Sequence, residues 1–484
     1  MPIRLPLSIA LAALLLNVAT AVQGAARPSP DPATLQLGHD IFKQLIEINT
    51  TESVGSTTVA AEAMAQRLRT GGFAESDLSL LGPSPRKGNL VVRYRGKAGS
   101  TLRPILVIGH LDVVEARRED WTTDPFQFVE KDGYYYGRGT QDMKIDDAAM
   151  VTVFIRMRKE HYVPNRDIIL ALTADEEGGD SNGMDWLLKK HRDLIDAEFA
   201  INPDGGAVST DAGKPVSINV EAAEKLYADF QVVAISPGGH SSLPTPDNPI
   251  YRLTHALGAL EQHPFAFELN SVTRAYYSEM AKVEAPPRAA DIRAMLAAPP
   301  DPGAVARLSL IANDNAKLHT TCTPTMQSGG QAVNALPQRA EVNINCRILP
   351  GHSQEEVRLD LVRLFNDSQL TVRYRSDAGE LFDHGSDRAA MSPPPLRTDL
   401  MQAMKDIGGK LWPGAPVIAT MENGASDSIY TMQANIPSYG VCGMANDRDN
   451  LRWHGKDERI TAASFRDGLE FDYELLRTLT GARK

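Results

Sequence analysis

The chain has 484 residues, of which 42% are hydrophobic and 23% charged, and its formal net charge is −11. This composition excludes a long disordered chain, a collagen or a coiled coil, and the acidic balance argues against a nucleic-acid scaffold, which would carry a basic surface. The 3 cysteines are too few for a disulfide framework or a thiolate zinc site, so histidine and carboxylate would hold any metal.

The first predicted element is a cleaved export signal over residues 1–25. Arg4 precedes an uncharged, mostly apolar stretch from Leu5 to Ala26 that ends in small residues, which is the order of features in a secretory signal. The alternative is a permanent anchor, because a stretch of this length is just long enough to cross a bilayer. We predict an exported protein, periplasmic or secreted, that keeps no stable membrane span after the leader is removed.

From residue 33 to about 220, helix-like and strand-like segments alternate. Short apolar runs such as Ile105–Ile108 are typical of strands buried on both faces. The predicted strands are Asn89–Tyr94, Ile105–Ile108, Ile168–Leu172 and Phe199–Ile201, and the predicted helices are Thr34–Ile48, Val59–Leu68, Asp146–Lys159 and Met184–His191. This alternation predicts an α/β fold with a mostly parallel sheet flanked by helices.

The pattern changes in the middle of the chain. Leu226–Ala234 and Ala340–Cys346 alternate apolar and polar residues, which predicts an antiparallel sheet with one packed and one exposed face. Helices at Ile250–Glu261 and Glu355–Phe365 would cover the packed face, and residues 263–318 are typical of a helical insertion. These segments predict an inserted α+β lid domain over residues 222–376.

After residue 376 the α/β pattern returns. Helices are predicted at 397–407 and Ala462–Thr478, and strands at Val417–Thr420 and Pro437–Val441. The simplest architecture is one catalytic domain, built from residues 26–221 and 377–484, with the lid domain inserted between its two parts.

Side chains that bind metals follow three successive predicted strands. His110 follows the first of them, Glu176 and Glu177 follow the second, and Asp204 follows the third. Ligands of an open parallel sheet bind beyond the carboxyl ends of its strands, and imidazole with carboxylate suits Zn²⁺ or a similar cation. Each motif alone has a simpler explanation, because acidic residues also cap helices and form turns. Their recurrence at three strand ends favours a metal site.

Six motifs in chain order resemble metallopeptidase family 20, which includes glutamate carboxypeptidase, carboxypeptidase S, aminoacylase and succinyl-diaminopimelate desuccinylase. They are GHLDVV at 109–114, YGRGTQDMK at 136–144, ADEEGG at 174–179, PDGG at 203–206, SPGGHSS at 236–242 and HGKDERI at 454–460. GASDS at 424–428 and IPSYGV at 436–441 are most similar to the carboxypeptidase S or Gly-X carboxypeptidase branch. The resemblance implies a dizinc catalytic domain with an inserted ferredoxin-like lid.

The resemblance also implies the roles of individual residues in the catalytic domain. Two Zn²⁺ ions, with Co²⁺ or Mn²⁺ as substitutes, would be held by Asp142 between them, by His110 and Asp204 at one position, and by Glu177 and His454 at the other. Asp112 would accept a hydrogen bond from the imidazole of His110 and fix its tautomer. Glu176 would be the general base that activates a water.

The lid would supply the remaining groups. His240 resembles the family histidine that stabilises the oxyanion and that, in dimeric members, reaches in from the partner subunit, which implies a homodimer through the lid. Arg347 is suited to bind a substrate carboxylate, and Asn334 and Gly424 are further candidates for substrate contact. The alternatives are a turn histidine at His240 and a surface salt bridge at Arg347.

Some positions depart from the family pattern. Ile145 stands where the family often has glycine, and Glu422–Asn423 where small or hydroxyl residues are more usual. The Asp142–Met143 peptide bond is cis in relatives, and the resemblance implies the same here. Among the cysteines, Cys346 and Cys442 would form a disulfide only if their Cα atoms lay within about 7 Å.

The sequence therefore predicts an exported zinc-dependent hydrolase that cleaves a peptide or N-acyl amide bond next to a free carboxylate, as a dipeptidase, carboxypeptidase or N-acyl-amino-acid deacylase. Its substrates would be small peptides or N-acyl amino acids, and no nucleic acid is expected. One alternative is a biosynthetic deacylase of the N-acetylornithine or N-succinyl-diaminopimelate type. The other is an inactive exported relative that binds peptides.

Overall fold

The computed structural model describes residues 27–376, 379–386 and 390–481. The predicted export signal over residues 1–25 lies outside the described residues. Within the described ranges, no helix is long and apolar enough to cross a membrane. This part of the chain forms a 10-stranded sheet, a 5-stranded sheet and two small ladders.

The first part of the chain builds most of the large sheet. Its elements are α1 (Pro32–Ile46), α2 (Thr57–Thr70), β1 (Leu78–Leu81), β2 (Asn89–Tyr94), β3 (Ile105–His110), β4 (Val129–Lys131), β5 (Tyr134–Tyr136), α3 (Lys144–Lys159), β6 (Ile168–Thr173), α4 (Gly183–Lys190), α5 (Arg192–Ile195), β7 (Phe199–Asn202), β8 (Val208–Asp211) and β9 (Lys214–Glu224). Asp31 caps α1 by accepting the N–H groups of Ala33 and Thr34, and Pro32 occupies the first turn, where its missing N–H costs nothing.

The middle of the chain forms the 5-stranded sheet, here called the lid sheet after the predicted lid domain, and the helices around it. Its elements are β10 (Leu226–Ile235), β11 (Gly239–His240), α6 (Pro249–Gln262), α7 (Ser271–Val283), α8 (Pro286–Leu296), α9 (Pro302–Ser309), α10 (Ala312–Leu318), β12 (Thr321–Gly329), β13 (Ala335–Leu336), β14 (Arg339–Ile348), α11 (Gln354–Phe365), β15 (Leu370–Arg375) and β16 (Leu381–Phe382). The sheet order β12-β14-β10-β15-β16 is antiparallel. Ala228, Phe230 and Val232 of β10 pack under α6 and α11, which is the packed face predicted from alternation.

The last part of the chain completes the large sheet. Its elements are α12 (Thr398–Leu411), β17 (Val417–Glu422), α13 (Ser428–Gln433), β18 (Ser438–Gly440), β19 (Ala445–Asp447), β20 (Arg459–Thr461) and α14 (Ala462–Thr480). The large sheet has the order β1-β2-β6-β3-β7-β18-β9-β8-β19, with β17 paired to β9. Its central strands β6, β3, β7 and β18 are parallel neighbours. The fold is therefore α/β with a mixed, mostly parallel sheet and a separate lid sheet, as predicted.

Helices cover both faces of the large sheet and fix β3 between two cores. Ile105 and Val107 pack in the larger core, which includes residues of α1, α2, α3, α12 and α14. Leu106 and Ile108 point to the opposite face, where α4 and α5 pack. Each such buried side chain stabilises the fold by about 1.5–3 kcal/mol. The strand that ends in His110 is consequently held from both sides.

The structure contains strands that the sequence pattern does not predict, notably β9 and β12. β9 remains in the large sheet as far as Glu224, and the chain passes to the lid sheet at Lys225, whereas the sequence places the division after residue 221. Four helices, α7 to α10, lie within the stretch predicted as a helical insertion.

The disulfide pairing differs from the one considered in the sequence. Cys322 of β12 and Cys346 of β14 lie directly opposite each other in the ladder and form a disulfide bond. Cys346 is therefore not paired with Cys442, a pairing that the sequence left conditional on the distance between them. Cys442 is a free, buried thiol that follows β18 of the large sheet, with its Sγ 3.2 Å from Asp146 Oδ1, whereas Cys346 lies in the lid sheet.

Candidate metal centre

Three of the predicted ligands come together because their strands are neighbours. His110 is the last residue of β3, Glu177 follows β6, and Asp204 follows β7. β3 pairs in parallel with both β6 and β7, so the carboxyl ends of the three strands meet at one edge of the sheet. The fold therefore brings an imidazole and two carboxylates to a common point.

One group of side chains surrounds the imidazole of His110. Its Nε2 atom lies 3.2 Å from Asp142 Oδ1, 3.9 Å from Asp204 Oδ1 and 3.9 Å from Glu176 Oε2. The imidazole is buried, with 2% of its side chain exposed, whereas the three carboxylates remain partly open to solvent.

A second group forms around His454, from the other end of the chain. Its Nε2 atom lies 3.1 Å from Asp142 Oδ2 and 2.9 Å from Glu177 Oε2. Asp142 thus presents one oxygen to His110 and the other to His454. The side chain of His454 is 52% exposed, so this half of the centre faces solvent.

The side chains fit a metal site. Within the described residues, His110 Nε2 and Asp142 Oδ1 are buried atoms that have no hydrogen-bond partner. Ligand atoms of His110, Glu176 and Asp204, and those of His110, Asp142 and Glu177, form groups in which all atoms lie within 4.8 Å of one another. Burying polar atoms without partners costs free energy, and a cation bound between the imidazole and the carboxylate would compensate that cost.

Asp112 connects His110 to the turn that carries Glu176 and Glu177. Its carboxylate accepts the backbone N–H groups of Glu176 and Glu177 at 3.1 and 2.9 Å. His110 Nδ1 donates to the backbone carbonyl of Asp112 at 3.0 Å, and lies 3.7 Å from its carboxylate. The predicted acceptor was the carboxylate, but this group is occupied by the turn. A carbonyl can only accept, so Nδ1 carries the proton and Nε2 offers its lone pair to the site.

The loop that carries Asp142 lies between β5 and α3. The Asp142–Met143 peptide bond is cis, in agreement with the resemblance. Met143 Sδ accepts the backbone N–H of His110 at 3.3 Å, and the carboxylate of Glu458 accepts the N–H of Asp142 at 3.2 Å. The loop is thus attached both to the end of β3 and to the segment that carries His454.

The electrostatics of the cluster favour a cation. Burial raises the pKa of Glu176 well above its usual range and that of Asp204 to about 7, and neighbouring carboxylates add to both shifts. Burial also acts to raise the pKa of Asp142, but the adjacent imidazoles of His110 and His454 bring it below its usual value. A divalent cation among these carboxylates would stabilise all of them in the ionised form.

The predicted lid residues lie elsewhere. His240 is exposed on β11, where its Nδ1 lies 2.8 Å from Ser242 Oγ, and Asn334 is exposed beside it, next to β13. Arg347 of β14 stacks its guanidinium 4.7 Å from the ring of Tyr227. Among the described residues, no hydrogen bond joins His240, Asn334, Arg347 or Gly424 to the five proposed ligands.

Sequence reasoning missed a buried network behind the centre. Asp427 accepts hydrogen bonds from Thr173 Oγ1 at 3.0 Å and from Asn182 Nδ2 at 2.7 Å. Glu224 accepts both the N–H and the hydroxyl of Ser426 at 2.9 Å. These contacts fix the turn after β6 and the loop after β17. The signal was present in the GASDS motif, which contains Ser426 and Asp427, although the prediction named only Gly424.

Histidine and carboxylate gathered at the edge of the large sheet define a candidate metal-binding centre. Residues 106–478 match the family described as Peptidase family M20/M25/M40. Because this match spans most of the chain, the protein belongs to that family.

Similar proteins include peptidases and acyl-amino-acid hydrolases. Probable carboxypeptidase S-like 2 of Dictyostelium discoideum is 28% identical over 399 residues, which cover 80% of this chain and 74% of that protein. The N-fatty-acyl-amino acid synthase/hydrolase PM20D1 of Homo sapiens is 26% identical over 387 residues, covering 78% and 74%. Among solved structures, the M20 family metallo-carboxypeptidase Sso-CP2 from Sulfolobus solfataricus has a TM-score of 0.65 at 16% identity, covering 91% of this chain and 98% of that one.

Proposed function

We propose that the protein is an exported zinc-dependent hydrolase that cleaves a peptide or N-acyl amide bond next to a free carboxylate. The observation that carries this proposal is the position of Asp142. Its Oδ1 lies 3.2 Å from His110 Nε2 and its Oδ2 lies 3.1 Å from His454 Nε2, so one carboxylate faces two separate imidazoles. This is the arrangement that a carboxylate needs to bridge two metal ions.

Two Zn²⁺ ions would share the five ligands, with three protein ligands each. Asp142 would bridge them, His110 and Asp204 would hold one ion, and Glu177 and His454 the other. An open coordination position is typical of catalytic rather than structural zinc. When bound, the ions would supply an activated water and polarise the scissile carbonyl.

Glu176 would move the proton. Its carboxylate would accept a proton from the attacking water and return it to the nitrogen of the leaving amine. The position of Glu176 supports this role, because its Oε2 lies 3.9 Å from His110 Nε2 and therefore beside the place where the metal-activated water would be held. Asp112 would keep Glu176 in place through the N–H groups that it binds.

The lid would recognise the substrate. Arg347 lies on the polar face of the lid sheet and presents a planar guanidinium, which can bind a substrate carboxylate with two parallel hydrogen bonds. His240 would stabilise the oxyanion from the partner subunit of a homodimer, in keeping with its exposed position on the lid. Asn334 and Gly424 remain candidates for substrate contact.

Export is supported by the leader sequence and by the disulfide bond. A disulfide between Cys322 and Cys346 persists in an oxidising compartment and is rare in the cytosol. A biosynthetic deacylase of the N-acetylornithine or N-succinyl-diaminopimelate type would act in the cytosol, so both features disfavour that alternative. An inactive peptide-binding relative is disfavoured because all five ligands and Glu176 are present.

The peptidase and the deacylase are both supported by relatives. The name of one similar protein describes a probable carboxypeptidase and that of another an N-fatty-acyl-amino acid hydrolase. A panel of dipeptides and N-acyl amino acids, each with a free and an amidated carboxyl end, separates the two activities. The protein should first be stripped with a chelator and then assayed with Zn²⁺, Co²⁺ or Mn²⁺ restored.

We expect hydrolysis to require the metal and to prefer free carboxylates. Glu176→Gln should lower kcat by about 10²- to 10⁴-fold while leaving the metal content unchanged, whereas Glu62→Gln, on the exposed face of α2, should have no effect. Unchanged hydrolysis in the Glu176 variant would contradict the mechanism.

Arg347→Ala should raise KM for substrates with free carboxylates only, and an equal loss on amidated substrates would refute its role.

A further inference from the structure

Two of the proposed metal ligands are held by loops rather than by strand ends. Asp142 lies in the loop of residues 137–143, here named the Asp142 loop, and His454 lies in residues 450–458, the His454 loop. Since the two loops come from opposite ends of the chain, the distance between Asp142 and His454 depends on what joins them. By contrast, His110 ends a strand of the large sheet and is fixed by the two cores.

Gln141 joins the two loops with its side-chain amide. Its Nε2 donates to the carbonyl of Asn450 at 3.1 Å, and its Oε1 accepts the backbone N–H of Arg452 at 2.7 Å. Both polar ends of the amide are therefore used on the His454 loop. Gln141 is adjacent to Asp142, so this contact ties the backbone beside one ligand to the backbone just before the other.

Glu458 joins the same loops from the other side. Its carboxylate is fully buried and accepts the N–H groups of Gly139, Gln141 and Asp142 at 3.1, 2.6 and 3.2 Å. The guanidinium of Arg138 pairs with Glu458 at 2.6 Å and also donates to the carbonyl of Gly455 at 3.1 Å. Every one of these bonds crosses from one loop to the other.

From these contacts we infer that Gln141 and Glu458 are positioning residues that fix Asp142 relative to His454 and thereby set the affinity of the metal position formed by Asp142, Glu177 and His454. Neither side chain is a proposed metal ligand. The inference rests on the proposed function, since it requires that metal bind. His454 is half exposed and has no strand to support it, so this position depends on the link between the loops more than the position of His110 and Asp204 does.

The consequence is an unequal effect on the two metal positions. Groups that orient metal ligands typically contribute 10- to 100-fold to metal affinity. Gln141→Leu keeps the size of the side chain but removes both hydrogen bonds to the His454 loop. It should weaken one of the two metal positions by about 10- to 100-fold and leave the other within about 3-fold of the wild type.

The test is a calorimetric titration of the full, chelator-stripped protein with Zn²⁺. Wild type should show two binding events per subunit, and Gln141→Leu should show one unchanged and one weakened. The affected position is identified in a His454→Ala background, where Gln141→Leu should cause no further loss. Gln402→Leu, an exposed glutamine of α12, is the matched control and should bind as wild type does.

The outcomes separate this inference from the proposed function. If wild type binds no metal, the proposed function fails. If wild type binds two ions and Gln141→Leu binds them with unchanged affinities, or loses both equally, the positioning role is refuted. Glu458→Gln should repeat the unequal loss more strongly. The substitution replaces one carboxylate oxygen by an NH₂ group, which cannot accept the N–H groups of the Asp142 loop. Circular dichroism of the metal-stripped variants checks that they fold. If Glu458→Gln does not fold, the inference is judged on the titration of Gln141→Leu alone.

Discussion

Asp472 shows how burial alone can decide the charge of a side chain. It lies in α14 with 1% of its surface exposed, and both carboxylate oxygens lack a hydrogen-bond partner among the described residues. Burial raises its pKa well above the usual range. Ionisation of this group in the folded protein would leave an unpaired charge buried away from water, which is costly. The carboxyl is therefore expected to keep its proton to a higher pH than an exposed aspartate does.

The pH dependence of stability follows from this shift. The unfolded state releases the proton of Asp472 near pH 3.9, whereas burial makes the folded state retain it to higher pH. The folded state thus binds more protons in this window, so the free energy of unfolding falls as pH rises, by up to about 1.4 kcal/mol per pH unit. Asp472→Asn should remove the contribution of this one proton to the change in unfolding free energy with pH. Urea unfolding of the stripped protein at several pH values measures it.

The exposed Asp193 provides the control for this measurement. Asp193→Asn should leave the slope unchanged, because an exposed carboxylate has the same surroundings before and after unfolding. A slope that is identical in wild type and Asp472→Asn would show that the folded protein ionises this group without cost.

At the residue scale, sequence predicts which side chains gather but not which atom bonds. Motifs placed His110 and Glu177 at strand ends, and the parallel sheet brings them together. The hydrogen bond from His110 to the carbonyl of Asp112 could not be foreseen, because the carboxylate is taken by a turn 64 residues away. The partners of Gln141 and Glu458 are more than 300 residues apart in sequence, so only the folded chain reveals the link.

One buried carboxylate joins three helices of the helical insertion. Asp314 of α10 is fully buried and accepts the hydroxyl of Tyr277 from α7 at 2.9 Å and Nη2 of Arg288 from α8 at 3.0 Å. Asp314→Ala should lower the free energy of unfolding by about 2–4 kcal/mol, because it leaves Arg288 and Tyr277 without their acceptor. Limited proteolysis should then cut within α7 to α10 first.

A second pair in the same insertion tests the role of burial. Asp291 also pairs with an arginine, Arg307, at 2.6 Å, but on the surface. Because solvent screens exposed ion pairs, Asp291→Ala should leave stability and proteolysis unchanged. Equal effects of the two substitutions would contradict the role assigned to Asp314.

The disulfide stabilises the lid sheet at the pair β12 and β14. It closes a loop with a sequence separation of 24, for which restriction of the unfolded chain is worth about 3 kcal/mol. The variant with both Cys322→Ala and Cys346→Ala should unfold at correspondingly lower urea concentration. Peptide mapping without reductant should recover the two cysteines in one linked fragment, and recovery of both as free thiols would contradict the assigned pairing.

At the scale of elements, the sequence predicts strands that have a clear hydrophobic pattern. It does not predict strands whose conformation depends on pairing with a neighbouring strand. β3 and β6 are short apolar runs, and β10 and β14 alternate strictly, so their own residues specify them. β12 is mostly exposed, contains Pro324 and has a register shift between Pro324 and Met326. Its strand conformation depends on pairing with β14, which no local pattern records.

The molecule as a whole assembles its centre from both parts of a divided domain. Four proposed ligands precede the lid in sequence, and His454 follows it. The chain leaves the large sheet at Lys225, builds the lid, and returns to form β17, β18 and β19 of that sheet. The proposed metal centre is therefore complete only when both parts of the divided domain have folded around one sheet.

If His240 acts from a partner subunit, two inactive variants should restore each other. A subunit with Glu176→Gln lacks its base but still offers His240, and a subunit with His240→Ala retains Glu176. Random mixing makes half of the dimers mixed, with one complete centre in each, so activity should return to about a quarter of wild type. The measurement is hydrolysis after the two variants are unfolded and refolded together, with separately refolded samples as the control. Activity that stays at the sum of the separate variants would place His240 outside the partner's centre.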